Sequence, residues 1–299
     1  MEAIQDTVID LWEGYKWTWQ FADTRVENWF LMDAYWKTWA LVLLYLLVVW
    51  LGPKLMQQRE AMKLRYPVVL YNAAMVIVNF HIFYELLVCS TIRGYSYSCQ
   101  LVDYTDNPYE VRIAKALWWF YFSKCLEFMD TFFFILRKKN SQISFLHVYH
   151  HATMFPIWWV GVKWVPGGQA FFGAMMNSFI HVIMYTYYGL AALGPQFQKY
   201  LWWKRYLTRI QLVQFVLGMV HAAQSLLVGC PFPLWMQWAL IFYGATILSL
   251  FLNFYFHAYI KPAKSRRDQR DTSNGHSANG HISNGTALSN GTAESRKTK

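Results

Sequence analysis

Seven blocks of apolar residues recur along this chain of 299 residues, each about 18 to 25 long. That is the length an α-helix rising 1.5 Å per residue needs to cross a hydrocarbon layer about 30 Å thick. The blocks run over 36–52, 67–88, 113–136, 143–160, 169–190, 206–228 and 234–259. Composition agrees: 56% of residues are apolar, 19% aromatic and 15% charged, too greasy for an ordinary soluble domain. The expected fold is an all-α membrane protein with seven transmembrane helices. The fourth block fits worst, since it carries three histidines within five positions. A function is needed to justify that helix.

The chain divides accordingly. Residues 1–35 hold seven acidic residues and no apolar core flanked by small residues, so they do not read as a cleavable signal; the first span is expected to serve as its own insertion signal. Residues 36–260 form the seven-helix region. From 261 to 299 Asn-Gly, Ser and Thr recur and apolar residues nearly vanish, which reads as a disordered basic tail.

Lys and Arg set the orientation. They collect between Lys54 and Arg65, at Arg137-Lys138-Lys139, between Lys199 and Arg205, and from Lys261 to Arg270. With seven spans these stretches share one side, which the positive-inside rule makes cytosolic; the N-terminus is then lumenal or extracellular. The formal net charge of +10 follows from that topology alone, or marks a surface for an anionic cofactor. Nucleic acid is not an expected partner, because the basic loops are short, separated by spans, and part of no nucleic-acid module.

Cys99 and Cys230 both fall in non-cytosolic loops, where an oxidising compartment permits a disulfide between the 2–3 and 6–7 loops. Cys89, at the end of the second span, is a competing partner. In the tail, Asn284 and Asn290 each begin an Asn-Gly-Thr sequon, which a cytosolic tail leaves unglycosylated. The ending Arg296-Lys297-Thr298-Lys299 is similar to a dibasic retrieval signal of the endoplasmic reticulum, with Arg where Lys is usual.

An ionisable group at the centre of a membrane helix costs about 2.5–3.5 kcal/mol or more, so each one is a functional candidate. Here they cluster. His147, His150 and His151 fall within an arc of about 100° on the fourth span. Lys124, Glu127, Asp130 and Thr131 occupy about 120° of the third, with Cys125 on the opposite side. On the fifth, Asn177, His181, Tyr185 and Tyr188 form one stripe beside Met184; on the sixth, Thr208, Gln211 and Gln214 follow at three-residue steps. His81, His221 and His257 stand alone. The competing readings are a packing ion pair for Lys124 and Glu127, and interhelical hydrogen bonds for the fifth- and sixth-span residues. His147 to His151 lie within about two turns of the Arg137–Lys139 loop, so the cavity is expected to open toward the cytosol. The aromatic-rich remainder is expected to house a hydrocarbon chain.

These elements resemble those of the very-long-chain fatty-acid elongases. Lys124-Cys125-Leu126-Glu127-Phe128-Met129-Asp130-Thr131 is similar to the family's Lys-x-x-Glu-x-x-Asp-Thr element. Phe145-Leu146-His147-Val148-Tyr149-His150-His151 resembles its His-x-x-His-His box; Asn177 to Tyr188 and Thr208-x-x-Gln211-x-x-Gln214 are similar to the two that follow. Trp17-Thr18-Trp19, Arg25-Val26-Glu27-Asn28-Trp29 and Cys230-Pro231-Phe232-Pro233 look most like the subgroup acting on very long saturated and polyunsaturated chains. The resemblance implies seven spans, residence in the endoplasmic reticulum, and condensation of acyl-CoA with malonyl-CoA to 3-ketoacyl-CoA. It also implies separate reductases and a dehydratase as partners. Self-association into a homo-oligomer is left open.

For that chemistry the stripe offers imidazole and neither serine nor thiol as nucleophile. His150 or His151 is expected to take the acyl group, with no bound cofactor or metal. His147, His181 and Asn177 would orient the malonyl thioester and donate to the developing oxyanion. Lys124, Glu127, Asp130, Tyr188, Gln211 and Gln214 are the expected substrate contacts. Arg137, Lys138, Lys204 and Arg205 are placed to meet the phosphates of CoA. The rival enzyme class is a membrane di-iron desaturase or hydroxylase, which shares His-x-x-His-His boxes but carries eight or more histidines in several of them; here two of nine histidines lie in the tail. The rival outside enzymes is a seven-span receptor or transporter, whose pocket for an external ligand would lie on the other side.

Overall fold

The computed structural model describes residues 2–261, and every regular element among them is helical. The two tail sequons, the retrieval-type ending and the tail beyond 261 lie outside the described residues. Each apolar block coincides with a helix: α2 (Tyr35–Leu55), α3 (Arg65–Ile92), α4 (Pro108–Leu126) with α5 (Phe128–Leu136), α6 (Phe145–Trp164), α7 (Ala170–Ala192), α8 (Lys204–Leu227) and α9 (Leu234–Tyr255). A further helix, α1 (Glu2–Trp19), forms in the N-terminal segment, and a π-helical turn, Phe256–Ile260, follows α9. Among the described residues, those up to 253 make one compact unit, and 254–261 belong to a second.

By length and composition α2, α3, α8 and the α9 region are able to cross a membrane. The other helices carry polar groups that lower their hydropathy, and many of those groups are buried: Glu110, Lys124, Glu127, His151, Asn177 and His181 are each under a tenth exposed. Charge is turned inward and away from lipid, as a membrane interior requires.

The third span is not one helix, which corrects the sequence reading. Glu127 adopts φ −63°, ψ −17° between α4 and α5, and the Asp130 N–H bonds back to the Glu127 carbonyl at 3.1 Å. This i to i+3 turn tightens the backbone just after Glu127 and eclipses Glu127 with Asp130, while Lys124, three residues before Glu127 at ordinary helical spacing, shares its face.

Within the first unit the packing contacts close a cycle. α3 lies against α4 and α7, α4 against α6, and α7 against α8. α9 completes it, bonding α6 through Thr153 Oγ1 and Tyr243 Oη at 2.8 Å, and approaching α8 where a Cβ on Gly244 would stand 2.9 Å from Met219. α2 stands against α5 and α6 and exposes Trp36, Leu43, Leu47 and Trp50.

Hydrogen bonds sort the loops into two ends. At one end the Met62 N–H bonds the Leu136 carbonyl at 2.9 Å, Lys138 Nζ bonds the Gln57 carbonyl at 3.1 Å, and Arg65 donates to the Leu193 carbonyl; this is the basic end. At the other, Arg25 Nη1 donates to the carbonyls of Asp103 and Thr105 at 3.0 and 2.8 Å, and the Asp23 N–H bonds the Lys163 carbonyl at 2.8 Å. There Cys99 and Cys230 form a disulfide with Cα atoms 5.4 Å apart, and Cys89 is a free, buried thiol. Three indole N–H groups tie the N-terminal segment down: Trp118 to the Phe30 carbonyl, Trp159 to that of Leu31 and Trp164 to that of Thr18. The core beneath is aromatic, with Tyr121 stacked on Phe155 at 4.7 Å and Tyr35 on Trp159 at 4.6 Å.

Candidate functional site

Two local choices set the histidine face of α6. Ser144 caps the helix by accepting from the His147 N–H at 3.2 Å, which fixes where the first turn begins. The spacing from 147 to 151 then stacks the rings along one side. The centroids of His147 and His151 lie 4.3 Å apart, and those of His150 and His151 5.3 Å apart at right angles.

Opposite them, the α4–α5 turn delivers Glu127, whose side chain is 1% exposed. Lys124 Nζ donates to Glu127 Oε1 at 2.8 Å and to Asn177 Oδ1 at 3.2 Å, and sits 4.4 Å above the Phe120 ring. His181 Nδ1 lies 3.1 Å from Glu127 Oε1, an electrostatic contact rather than an aligned hydrogen bond, and His151 Nδ1 lies 3.9 Å from Oε2. One carboxylate therefore faces an ammonium and two imidazoles from three different helices. A buried ion pair of this kind is tolerable only because its remaining valences are met, here by Asn177.

A second layer surrounds the first. Asp130 Oδ2 accepts from Tyr185 Oη at 2.9 Å, and Tyr71 packs edge-on to Tyr185 with centroids 6.1 Å apart. Thr131 Oγ1 and His147 Nε2 are 2.7 Å apart, and the same hydroxyl is 3.1 Å from Tyr45 Oη on α2. Gln211 Nε2 points at Met184 Sδ, 3.5 Å away.

The helices thus bring Lys124, Glu127, Asn177, His147, His150, His151 and His181 together, with Asp130 and Gln211 at the margin. Tyr188 is 39% exposed and meets Tyr185 edge to face, and Gln214 is half-buried one turn beyond Gln211. The remaining candidates are at the basic end: Lys138, Lys204 and Arg205 are exposed and Arg137 is half-buried. Lys124 is turned inward to carboxylate and amide, away from that surface. Among the described residues, no three His, Cys, Asp or Glu side chains are grouped as metal ligands would be.

Sequence reasoning passed over Tyr45, Tyr71 and Thr153. Tyr45 stands in an otherwise apolar block, where one tyrosine is unremarked; only contact with Thr131 from another helix singles it out. A cavity of about 830 Å³ opens at the disulfide end, lined among others by Trp17, Phe21, Tyr104, Trp164 and Trp235. It includes none of the candidate residues.

What the cluster can do follows from its parts. His150 is half-buried; its backbone carbonyl accepts from Thr153 Oγ1 at 3.5 Å, while its ring nitrogens have no hydrogen-bond partner among the described residues. The neighbouring imidazoles and the Lys124–Asn177 pair supply donors and fixed charge in a setting with little water, where both act strongly. This equips the site for nucleophilic attack on an activated carbonyl.

Comparison with known proteins points the same way. The ELO: GNS1/SUR4 family model matches residues 30–267. The chain is 58% identical to very long chain fatty acid elongase 4 of Macaca mulatta over 98% of this chain and 94% of that protein. It is 49% identical to very long chain fatty acid elongase 2 of Mus musculus, over 85% and 86% of the two chains, and 46% identical to very long chain fatty acid elongase 5 of Bos taurus, over 97% and 95%.

Proposed function

The chain belongs to the GNS1/SUR4 family, a multi-pass membrane family of fatty-acid elongases, and from that membership together with the histidine cluster we propose how it carries out its reaction. It is a very-long-chain 3-oxoacyl-CoA synthase, condensing acyl-CoA with malonyl-CoA to 3-ketoacyl-CoA, CO2 and CoA.

The reaction runs in two halves. An imidazole nitrogen of His150 attacks the acyl thioester carbon; the C–S bond breaks, the acyl group passes to nitrogen, and CoA leaves as thiol with the imidazole proton. Malonyl-CoA then loses CO2, and the electron pair of the broken C–C bond becomes the enolate of the remaining thioester. Its carbon attacks the acyl carbon, the C–N bond breaks with its electron pair going to nitrogen, and the imidazolate takes up a proton from water to restore the neutral imidazole, the one proton that each turnover consumes. What supports His150 over His151 is its unengaged ring, since His151 faces Glu127. His147, His181 and Asn177 hold the malonyl thioester and donate to the enolate oxygen, while Glu127 and Lys124 balance charge beneath them. Asp130, Tyr188, Gln211 and Gln214 line the way in, and Arg137, Lys138, Lys204 and Arg205 meet the phosphates of CoA.

The same reading gives seven spans, a lumenal N-terminal segment over 1–35, a catalytic region over 36–260 and a cytosolic tail from 261. The acyl chain lies in a tunnel within the helix cycle. The enzyme works in the endoplasmic reticulum, handing its product to separate reductases and a dehydratase. The observation that carries the mechanism is the convergence of His151 and His181 on the buried Lys124–Glu127 pair, with His147 and His150 packed against His151. Purified protein given malonyl-CoA and a panel of long-chain acyl-CoAs, without NADPH or partner enzymes, is expected to release 3-ketoacyl-CoA detectable by mass spectrometry. His150→Ala is expected to abolish it. No product from folded wild-type protein across the panel would overturn the reading.

A further inference from the structure

We propose that Tyr45, on α2 beside the helix cycle, is a positioning residue that acts through Thr131 to fix the tautomer of His147. The inference deepens the condensing site described above and rests on it.

The observation is a chain of three polar groups from three helices. Tyr45 Oη is 3.1 Å from Thr131 Oγ1, which is 2.7 Å from His147 Nε2. Tyr45 is 3% exposed and Thr131 fully buried, so protons are shared within the chain. Thr131 carries one hydroxyl proton and two neighbours to which it could go. If it goes to Tyr45, the phenol's own proton has no acceptor among the described residues, and an unmet buried O–H is costly. If Tyr45 donates to Thr131 and Thr131 to Nε2, every proton in the chain is satisfied. His147 then accepts at Nε2 and carries its own hydrogen on Nδ1. Its half-buried ring leaves that Nδ1–H able to reach water or substrate.

The consequence is a division of labour among neighbouring imidazoles. With its Nε2 lone pair occupied, His147 cannot attack an acyl group through that atom, and it serves as a donor beside His151 and the nucleophilic His150. The rest of Tyr45 is held independently, its ring stacked on Phe128 at 4.4 Å and 17°. Tyr45→Phe therefore removes one hydroxyl and keeps the packing.

The test compares purified full-length wild type, Tyr45→Phe, Thr131→Val, the double variant and Thr131→Ser, all in lipid nanodiscs. Tyr45→Phe is expected to lower kcat about fivefold, the effect of one ordinary hydrogen bond, with KM for both CoA substrates changed by less than about twofold. Because the chain is serial, Tyr45→Phe adds no further loss in the Thr131→Val background. Thr131→Ser is expected to recover most of what Thr131→Val loses. Nitrogen-15 spectra of histidine-labelled wild type should show His147 protonated on Nδ1, and Tyr45→Phe should show both tautomers. Wild-type kcat in Tyr45→Phe, or losses that multiply in the double variant, would overturn the relay. So would a His147 hydrogen on Nε2 in the wild type, and that spectrum reads the relay whether or not the protein turns over. Absence of 3-ketoacyl-CoA from wild type, with the Nδ1 tautomer present, would instead count against the condensing reading.

Discussion

At the scale of single residues, the site depends on one carboxylate, Glu127, that faces the Lys124 ammonium and the imidazoles of His151 and His181. Glu127→Gln leaves Lys124 buried without its counter-charge, and stability is expected to fall by about 3–5 kcal/mol. Replacing both members, as Lys124→Met with Glu127→Leu, should cost much less, because no lone charge remains inside. Thermal unfolding in detergent distinguishes the two outcomes. For catalysis, His150→Ala is expected to reduce kcat by at least about 10³-fold, the scale seen when a nucleophile is removed. His81→Ala, at an exposed position outside the cluster, should leave turnover near the wild-type value in the same assay.

Much of this site can be read from the sequence, because helical spacing converts directly into a shared face. His147, His150 and His151 need only the 100° step to fall together, and Lys124 and Glu127 need only three residues. What spacing cannot supply is contact between helices. Nothing in the stretch around Tyr45 says that its hydroxyl meets Thr131, 86 residues away in sequence. Likewise, Lys124 on its polar stripe reads as a substrate contact, yet its ammonium lies against Glu127 and Asn177.

At the scale of elements, hydropathy places the helices from α2 to α9, because apolar length is what the pattern records. It misses the break at Glu127, where a polar turn interrupts an otherwise apolar run, and it misses α1, whose mixed composition carries no span signal. The loops hold the elements in register, and two of them are sensitive to small changes. Gly168 sits at φ +54°, and a Cβ there would stand 2.8 Å from the Val102 backbone nitrogen. Gly168→Ala is therefore expected to cost at least about 1–2 kcal/mol from the left-handed backbone alone, read as a lower unfolding temperature. The Cys99–Cys230 disulfide closes a separation of 131 residues. Cys99→Ser should lower stability by about 2–5 kcal/mol, and Cys230→Ser should match it, since either change opens the same bond.

At the scale of the whole molecule, charge and chemistry divide along the helix axes. Lys and Arg gather at the end where α5 meets α6 and α7 meets α8, and His147 to His151 lie within about two turns of it. The disulfide end carries the indole anchors and the Arg25 clamp. In the proposed orientation an anionic head group arrives from the basic end, and its hydrocarbon chain runs toward the other. Charge reversal at the rim, Lys204→Glu with Arg205→Glu, is expected to raise KM for both CoA substrates about tenfold or more, since a hydrogen bond to a charged group contributes about 1.5–3 kcal/mol. The difference from wild type should shrink at high salt, where such charges are screened.

The covalent step is the centre of this mechanism, and it is open to direct observation. Purified protein is incubated with a long-chain acyl-CoA in the absence of malonyl-CoA, digested, and the peptide spanning His147 to His151 is examined by mass spectrometry. The acyl-imidazole route predicts a mass increase equal to the acyl group on His150, lost when malonyl-CoA is added as 3-ketoacyl-CoA appears, together with ping-pong kinetics. Steady product formation with no acylated peptide at any time, and with sequential kinetics for the two substrates, would contradict it.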